Sequence, residues 1–250
     1  MKPKASRTRL DFLLVERGFA ETSQKALAMI LAGEVRVDGN RVEKAGAPVS
    51  DDARIEVTSR TQRFASRGGF KLEGALEDFA LDPAGWICVD IGASNGGFTD
   101  CLLQHGAVRV YAVDVNTEQL DWKLRQDPRV IRIERNAREL GPEDVPEKAG
   151  IIVIDVSFIS VSKAIAPAVS VAAPGAHFLI LIKPQFELSR EEIGPGGIVT
   201  DEKLHEKAID AVRGTVASVG LDFSGIRPSR LRGAEGNQEY FLHARKKSLE

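Results

Sequence analysis

Four residues of this 250-residue chain combine side-chain types and settings that suit proton transfer: Lys71, Asp155, Lys183 and Glu239. Asp155 ends the apolar run IIVID and Lys183 ends HFLILIK, so each falls where a buried strand reaches its edge. A lysine closing such a strand is unusual, because an unpaired ammonium is costly to remove from water. Lys71 stands in SRGGFKL, and Glu239 stands in GNQEYF at the start of a late strand. Two lysines and two acids suit group transfer to a weakly acidic hydroxyl. One group takes the proton while the others hold it in place. A lysine serves as base only if burial or a nearby cation weakens its hold on the proton; Lys71 near Lys183 is expected to supply that push. The plainer reading of each residue is a solvated or salt-bridged strand end.

The run WICVDI (86–91) leads straight into Gly92-Ala93-Ser94-Asn95-Gly96-Gly97-Phe98, and a helix opens at Thr99. A glycine-rich turn at the carboxyl end of a strand lets backbone approach a ligand closely, in the crevice where open α/β sheets bind. A nicotinamide dinucleotide asks for Gly-x-Gly-x-x-Gly, with its pyrophosphate on the helix N-terminus. The turn here is Asp-x-Gly-x-x-x-Gly-Gly, and Asp90 would repel a diphosphate. S-adenosylmethionine carries no phosphate but has a cationic sulfonium and an amino-acid tail, so the pattern favours it over a dinucleotide. A ligand-free structural turn is the remaining alternative. Asp114 ends the next strand, 22 residues after Gly92, where a carboxylate can accept the hydroxyls of a ribose. The expected cofactor set is Asp90, Gly92, Ala93, Ser94, Gly96, Gly97 and Phe98, then Asp114 and Val115, with Asn136 and Ala137 framing the adenine.

These residues need a sheet to hold them. WICVDI, VRVYAVDV (108–115), VIRI (130–133), IIVIDV (151–156) and HFLILIK (177–183) are short apolar runs, as in strands covered on both faces. Helical patterns alternate with them: TDCLLQHG, TEQLDWKLRQ, SVSKAIAPAVSVA and EKLHEKAIDAVRGTVASVG. The βαβαβ order predicts a doubly wound, Rossmann-like α/β sheet. GIRPSRLRG and QEYFLHARK predict an antiparallel closing pair, so the sheet is mostly parallel with an antiparallel last strand. Residues 7–58 read as a separate α+β unit. One helix carries Leu10, Leu13, Leu14 and Phe19. A second is capped by Thr22 or Ser23 and carries Ala26, Leu27, Ile30 and Leu31 on one face. VRVDGNRV then turns at Asp-Gly, and ARIEV is a last short strand. Polar, basic residues 59–70 form the expected linker, and 71–247 the larger domain.

Composition is that of an ordinary globular protein, 43% hydrophobic and 28% charged. No apolar run approaches the ~20 residues of a membrane span, and no cleavage site follows the N-terminal stretch. Cys88 and Cys101 lie in apolar segments without ligand spacing, which fits a reducing cytoplasm. The four histidines are scattered, so no metal is expected. Net charge is −2, but residues 1–73 hold 14 Lys and Arg against 10 Asp and Glu. The basic excess at the front is where nucleic acid would be met.

Several motifs resemble a known family. Arg9-Leu10-Asp11, Gly18, Ser23, Ala26, Gly33-x-Val35-x-Val37-x-Gly39 and Val42 resemble the S-four-type RNA-binding domain. Ser66-Arg67-Gly68-Gly69-x-Lys71-Leu72, the Asp90–Asp100 stretch, Asp155-Val156-Ser157-Phe158-Ile159-Ser160, Lys183-Pro184-Gln185-Phe186-Glu187 and Gly196-Gly197 are similar to the TlyA group, related to FtsJ-type ribose methylases. The resemblance implies 2′-O-methylation of cytidines in ribosomal RNA, with ribosomal RNA or subunits as partners. It also implies a catalytic tetrad at Lys71, Asp155, Lys183 and Glu239, with Lys183 as base. Candidate phosphate contacts are Arg7, Arg9, Lys25, Arg36 and Arg41, backed by Arg60, Arg63 and Arg67. Asn95 stands where threonine is expected, and Gln24 where arginine is expected. Three rival readings are a non-catalytic ribosome-assembly factor, a haemolysin-like membrane-active protein, and a small-molecule methyltransferase. The last leaves residues 7–58 without a task.

Overall fold

The computed structural model describes residues 7–20, 22–57, 63–233 and 235–248. It forms two compact units that divide between Arg63 and Phe64. In the first, β1 (Arg7–Arg9) leads into α1 (Leu10–Glu16) and α2 (Ser23–Leu31), followed by β2 (Val35–Val37), β3 (Asn40–Arg41), β4 (Pro48–Ser50) and β5 (Ile55–Val57). Thr22 caps α2 by accepting from the Lys25 amide at 3.2 Å. β2 and β3 pair across Asp38 and Gly39, both at positive φ, as a two-residue hairpin turn requires. The core collects Leu10, Leu13, Leu14, Ala26, Ile30, Val35 and Ile55. Phe19, Leu27 and Leu31 are exposed instead, so the apolar faces expected of them are narrower than their spacing suggests. The unit buries one row of each helix, and Leu27 and Leu31 fall on the flanking row, about 100° round from Ala26 and Ile30. The β1–β4 pair was not expected, because RTR and PVS have no strand-like alternation.

The second unit contains α3 (Gly68–Asp78), β6 (Ile87–Ile91), α4 (Gly97–Gln104), β7 (Arg109–Asp114), α5 (Trp122–Gln126), β8 (Val130–Glu134), β9 (Ala149–Ile154), α6 (Ser162–Val171), β10 (Ala172–Ile182), α7 (Pro184–Glu187), α8 (Glu202–Ser218), β11 (Leu221–Pro228) and β12 (Tyr240–Lys246). The seven strands lie in the order β11-β12-β10-β9-β6-β7-β8. Only β12 runs against its neighbours. Alternating side chains feed two cores: Val89, Ile152, Ile154, Phe178 and Ile180 on one face, Cys88, Ile151, Val153, Leu179 and Leu181 on the other. The apolar runs of the central strands thus serve both layers.

Residues 64–70, assigned to the linker from their polarity, lie in this unit. Phe64 is 1% exposed and packs with Leu72 and Phe98. Burying such a ring contributes roughly 1.5–3 kcal/mol. Phe64, together with the Ala65 amide donating to Asp100 Oδ2 at 2.8 Å, ties the segment down, rather than any periodicity.

Candidate active site

Four segments meet at the carboxyl edge of the large sheet. Asp155 directly follows β9 and Lys183 directly follows β10, and these parallel neighbours are in register at Ile154 and Ile180. β12 runs the other way, so its amino end reaches the same edge. Ile182 lies opposite Tyr240, and one further step sets Lys183 across from Glu239. Lys71 arrives in the first turn of α3. That approach depends on Gly97, where any side-chain carbon would collide with Ser66 Oγ.

The four expected residues form two ion pairs. Lys183 Nζ lies 2.5 Å from Asp155 Oδ1, and Lys71 Nζ lies 2.5 Å from Glu239 Oε2. Lys183 also donates to Ser157 Oγ at 2.8 Å. Glu239 is 2% exposed and Lys183 9%, so removing one partner strands a buried charge. Burial pushes the Glu239 carboxyl above the usual range; Lys71, then Lys183, draw it back, while Asp155 raises it further. The two pairs therefore act on each other. The push expected from Lys71 on Lys183 is not that of a bare cation, because Glu239 takes up the Lys71 charge.

The glycine turn borders two cavities. One, of about 190 Å³, is lined by Ser66, Arg67, Gly68, Lys71, Gly92, Ala93, Ser94, Gly97, Phe98, Asp155 and Arg232. The other, of about 380 Å³, is lined by Gly92, Ser94, Asp114, Val115, Asn136 and Ala137, with Arg135, Arg138 and the Val156–Ile159 loop. Gly92, Ser94 and Asp155 border both. Gly92 has φ 88°, and a Cβ there would strike the Asp155 carbonyl oxygen. Asp114 accepts from the Ser94 amide at 2.9 Å and the Asn116 amide at 3.1 Å, which pins the turn to β7.

Two members of the expected cofactor set line neither cavity. Gly96, at φ 88°, caps α4 and packs on Leu124. Asp90 is fully buried and accepts from Thr99 Oγ1 at 2.7 Å, while its other oxygen has no hydrogen-bond partner among the described residues. Burial pushes its carboxyl up to about 7, against the pull of the Thr99 bond. Asn95 is exposed and borders neither cavity. Sequence reasoning gave no role to Ser66, Arg232, Ser157 or Phe158. The motifs SRGG and DVSFIS held a signal for all of these but Arg232. Phe158 is 89% exposed at φ 65° and stands 5.5 Å from the Phe186 ring.

In the first unit Arg7, Lys25, Arg36 and Arg41 are exposed. Arg36 lies directly across from Arg41 on the hairpin, and Arg41 also reaches Glu43 at 3.3 Å. Arg9 is held by Asp11 through two hydrogen bonds of 3.1 and 2.8 Å. Gln24 is exposed on α2. Arg67 lines the smaller cavity, and Arg60 lies outside the described residues.

A family model described as FtsJ-like methyltransferase matches residues 64–246, and one described as S4 domain matches residues 8–55. The 16S/23S rRNA (cytidine-2'-O)-methyltransferase TlyA of Mycobacterium tuberculosis is 44% identical over 243 residues, covering 96% of this chain and 91% of that protein. The chain belongs to the TlyA group of FtsJ-like methyltransferases. A relative in the group, Hemolysin A of Brachyspira hyodysenteriae, is 42% identical over 94% of this chain and 98% of its own. A solved hemolysin-named structure from Streptococcus thermophilus has a TM-score of 0.72 at 39% identity, covering 98% of this chain and 90% of that one. The antiparallel last strand and the front domain are thus features of an FtsJ-like methyltransferase with an S4 domain.

Proposed function

We propose that this protein transfers the methyl group of S-adenosylmethionine to the 2′-hydroxyl of a cytidine in ribosomal RNA. The observation that carries the reading is the pair of ion pairs, Lys183–Asp155 and Lys71–Glu239, which reach the two cavities through Asp155, on both, and Lys71, on the smaller. The residues fit such a cofactor. Gly92 lets the turn pass hard against the Asp155 backbone while bordering both cavities, and the buried Asp90 behind the turn suits a cofactor that carries no phosphate. Gly92, Ala93, Ser94, Gly97 and Phe98 would hold the amino-acid half, and Asp114, Val115, Asn136 and Ala137 the nucleoside half. When bound, the cofactor supplies an electrophilic methyl group on a sulfonium.

The remaining chemistry belongs to the chain. Lys183 Nζ, in its neutral amine form, is the base that takes up the ribose hydroxyl proton as the oxygen attacks the methyl group. Asp155 and Ser157 orient it, and Glu239 holds Lys71 alongside. Arg67 and Arg232, exposed on the smaller cavity, suit a neighbouring phosphodiester, and the open face of Phe158 suits an unstacked base. Arg7, Lys25, Arg36, Arg41 and Arg63 suit backbone contacts that position RNA without choosing a base. The activity named for the Mycobacterium tuberculosis relative, rRNA (cytidine-2'-O) methylation, supports the substrate class.

Incubation with labelled cofactor and either ribosomal particles or naked ribosomal RNA tests the reading. Label in RNA supports it. Tight cofactor binding without transfer to any RNA would favour an assembly factor instead.

A further inference from the structure

Glu187 has no part in the chemistry above, yet it joins two catalytic segments. It ends α7, the short turn that starts directly after Lys183, and the turn is closed by bonds from the Phe186 amide to the Lys183 carbonyl and from the Leu188 amide to the Pro184 carbonyl. Its carboxylate accepts from Ser160 Oγ at 2.6 Å and from the Val161 amide at 2.8 Å. Ser160 Oγ in turn accepts from the Ser162 amide at 3.2 Å. One carboxylate thus fastens the far end of the loop 157–160 to the turn that carries the base. The near end is fastened by the Asp155 amide, which donates to the Ile91 carbonyl at 2.9 Å.

The loop needs fastening at both ends. Phe158 adopts φ 65°, a left-handed conformation that a bulky residue keeps only where its surroundings over-determine it. Ser157, one residue earlier, accepts the Lys183 hydrogen bond, and the same loop walls the larger cavity. Burial raises the Glu187 carboxyl, with the Ser160 and Val161 bonds opposing, as expected of a carboxylate committed to internal donors.

We propose that Glu187 is a positioning residue: it latches the loop 157–160 to the Lys183 turn, so that Ser157 stays on the Lys183 amine and the loop keeps its place on the cofactor cavity. This rests on the methyltransferase reading above. Ser157 is the contact through which the latch reaches the base.

The test uses the full chain with Glu187→Ala, Glu187→Gln, Ser157→Ala and the Ser157→Ala/Glu187→Ala double variant. It measures kcat and KM on ribosomal RNA, and S-adenosylmethionine Kd by calorimetry without RNA. Glu187→Ala and Ser157→Ala should each lower kcat about tenfold, with KM for RNA within about twofold. The double variant should be little worse than either single one, because both act through one contact. Glu187→Ala should also raise the cofactor Kd about fivefold. Glu187→Gln, which keeps the shape and one acceptor, should recover most of both losses. If Glu187→Ala does not fold, Glu187→Gln with Ser157→Ala decides the matter through the kcat–KM split. Wild-type kcat and Kd in a folded Glu187→Ala variant, or losses that multiply in the double variant, would overturn the latch. If the wild-type protein binds cofactor yet methylates no RNA, the function reading fails, and the Glu187→Ala Kd still tests the latch.

Discussion

Lys183 and Asp90 are two buried ionisable residues of the large sheet, and their partners set them different tasks. Lys183 holds Asp155 and Ser157, both of which border the larger cavity. Lys183→Ala should cut methyl transfer by about 10²–10⁴-fold, the usual loss for a positioned base, while S-adenosylmethionine Kd stays within twofold. Equal losses in cofactor affinity and rate would assign it to binding instead. Asp90 has one oxygen on Thr99 and one with no hydrogen-bond partner among the described residues, and burial holds its carboxyl up to about 7. The folded state therefore keeps the Asp90 proton better than the unfolded chain, whose carboxyl has its ordinary lower value. The stability that proton brings is full in acid and is lost as pH climbs toward 7. Asp90→Asn should match wild type in urea unfolding near pH 4 and be more stable at pH 8, by at most on the order of 4 kcal/mol. A difference that does not change with pH would contradict this. Asp155 and Lys183 were legible because a charged residue ending an apolar run stands out. Ser157 was not, since a serine in a loop shows no such contrast.

At the level of elements, the glycine turn depends on the strand beside it. Gly92→Ala places a methyl group on the Asp155 carbonyl at a φ of 88°. It should cost about 1–3 kcal/mol in unfolding free energy and weaken cofactor binding at least tenfold in calorimetry. Unchanged affinity would show that the cradle lies elsewhere. The strands of the large sheet could be read from sequence, because strands buried on both faces are apolar throughout. Only their ends moved, as with β10, which starts at Ala172 rather than at His177. The start of α3 could not be read: SRGGF looks like a loop, and its helix forms on Phe64 and the turn glycines. Helix faces in the small unit were overdrawn at Leu27 and Leu31. A helix of nine residues offers a second apolar row whether or not anything covers it.

The molecule as a whole pairs a basic-fronted S4 unit with an FtsJ-like unit. Among the described residues no helix is long and apolar enough to cross a membrane. Arg36 and Arg41 sit opposite each other on one hairpin, with Glu43 on Arg41 and Glu56 across from Arg36 on the neighbouring strand, so two exposed cations stand side by side. Replacing both with alanine should weaken RNA binding and make log K against log salt shallower by roughly 1.4–1.8, with cofactor Kd unchanged. An unaltered slope would remove them from the interface. The most direct measurement of the central claim is to methylate ribosomal RNA with wild-type protein and Lys183→Ala in parallel, digest it to nucleosides and locate the new methyl group by mass spectrometry. The account predicts 2′-O-methylcytidine from the wild type and only background from the variant. A methyl group on a base, or undiminished product from Lys183→Ala, would contradict it.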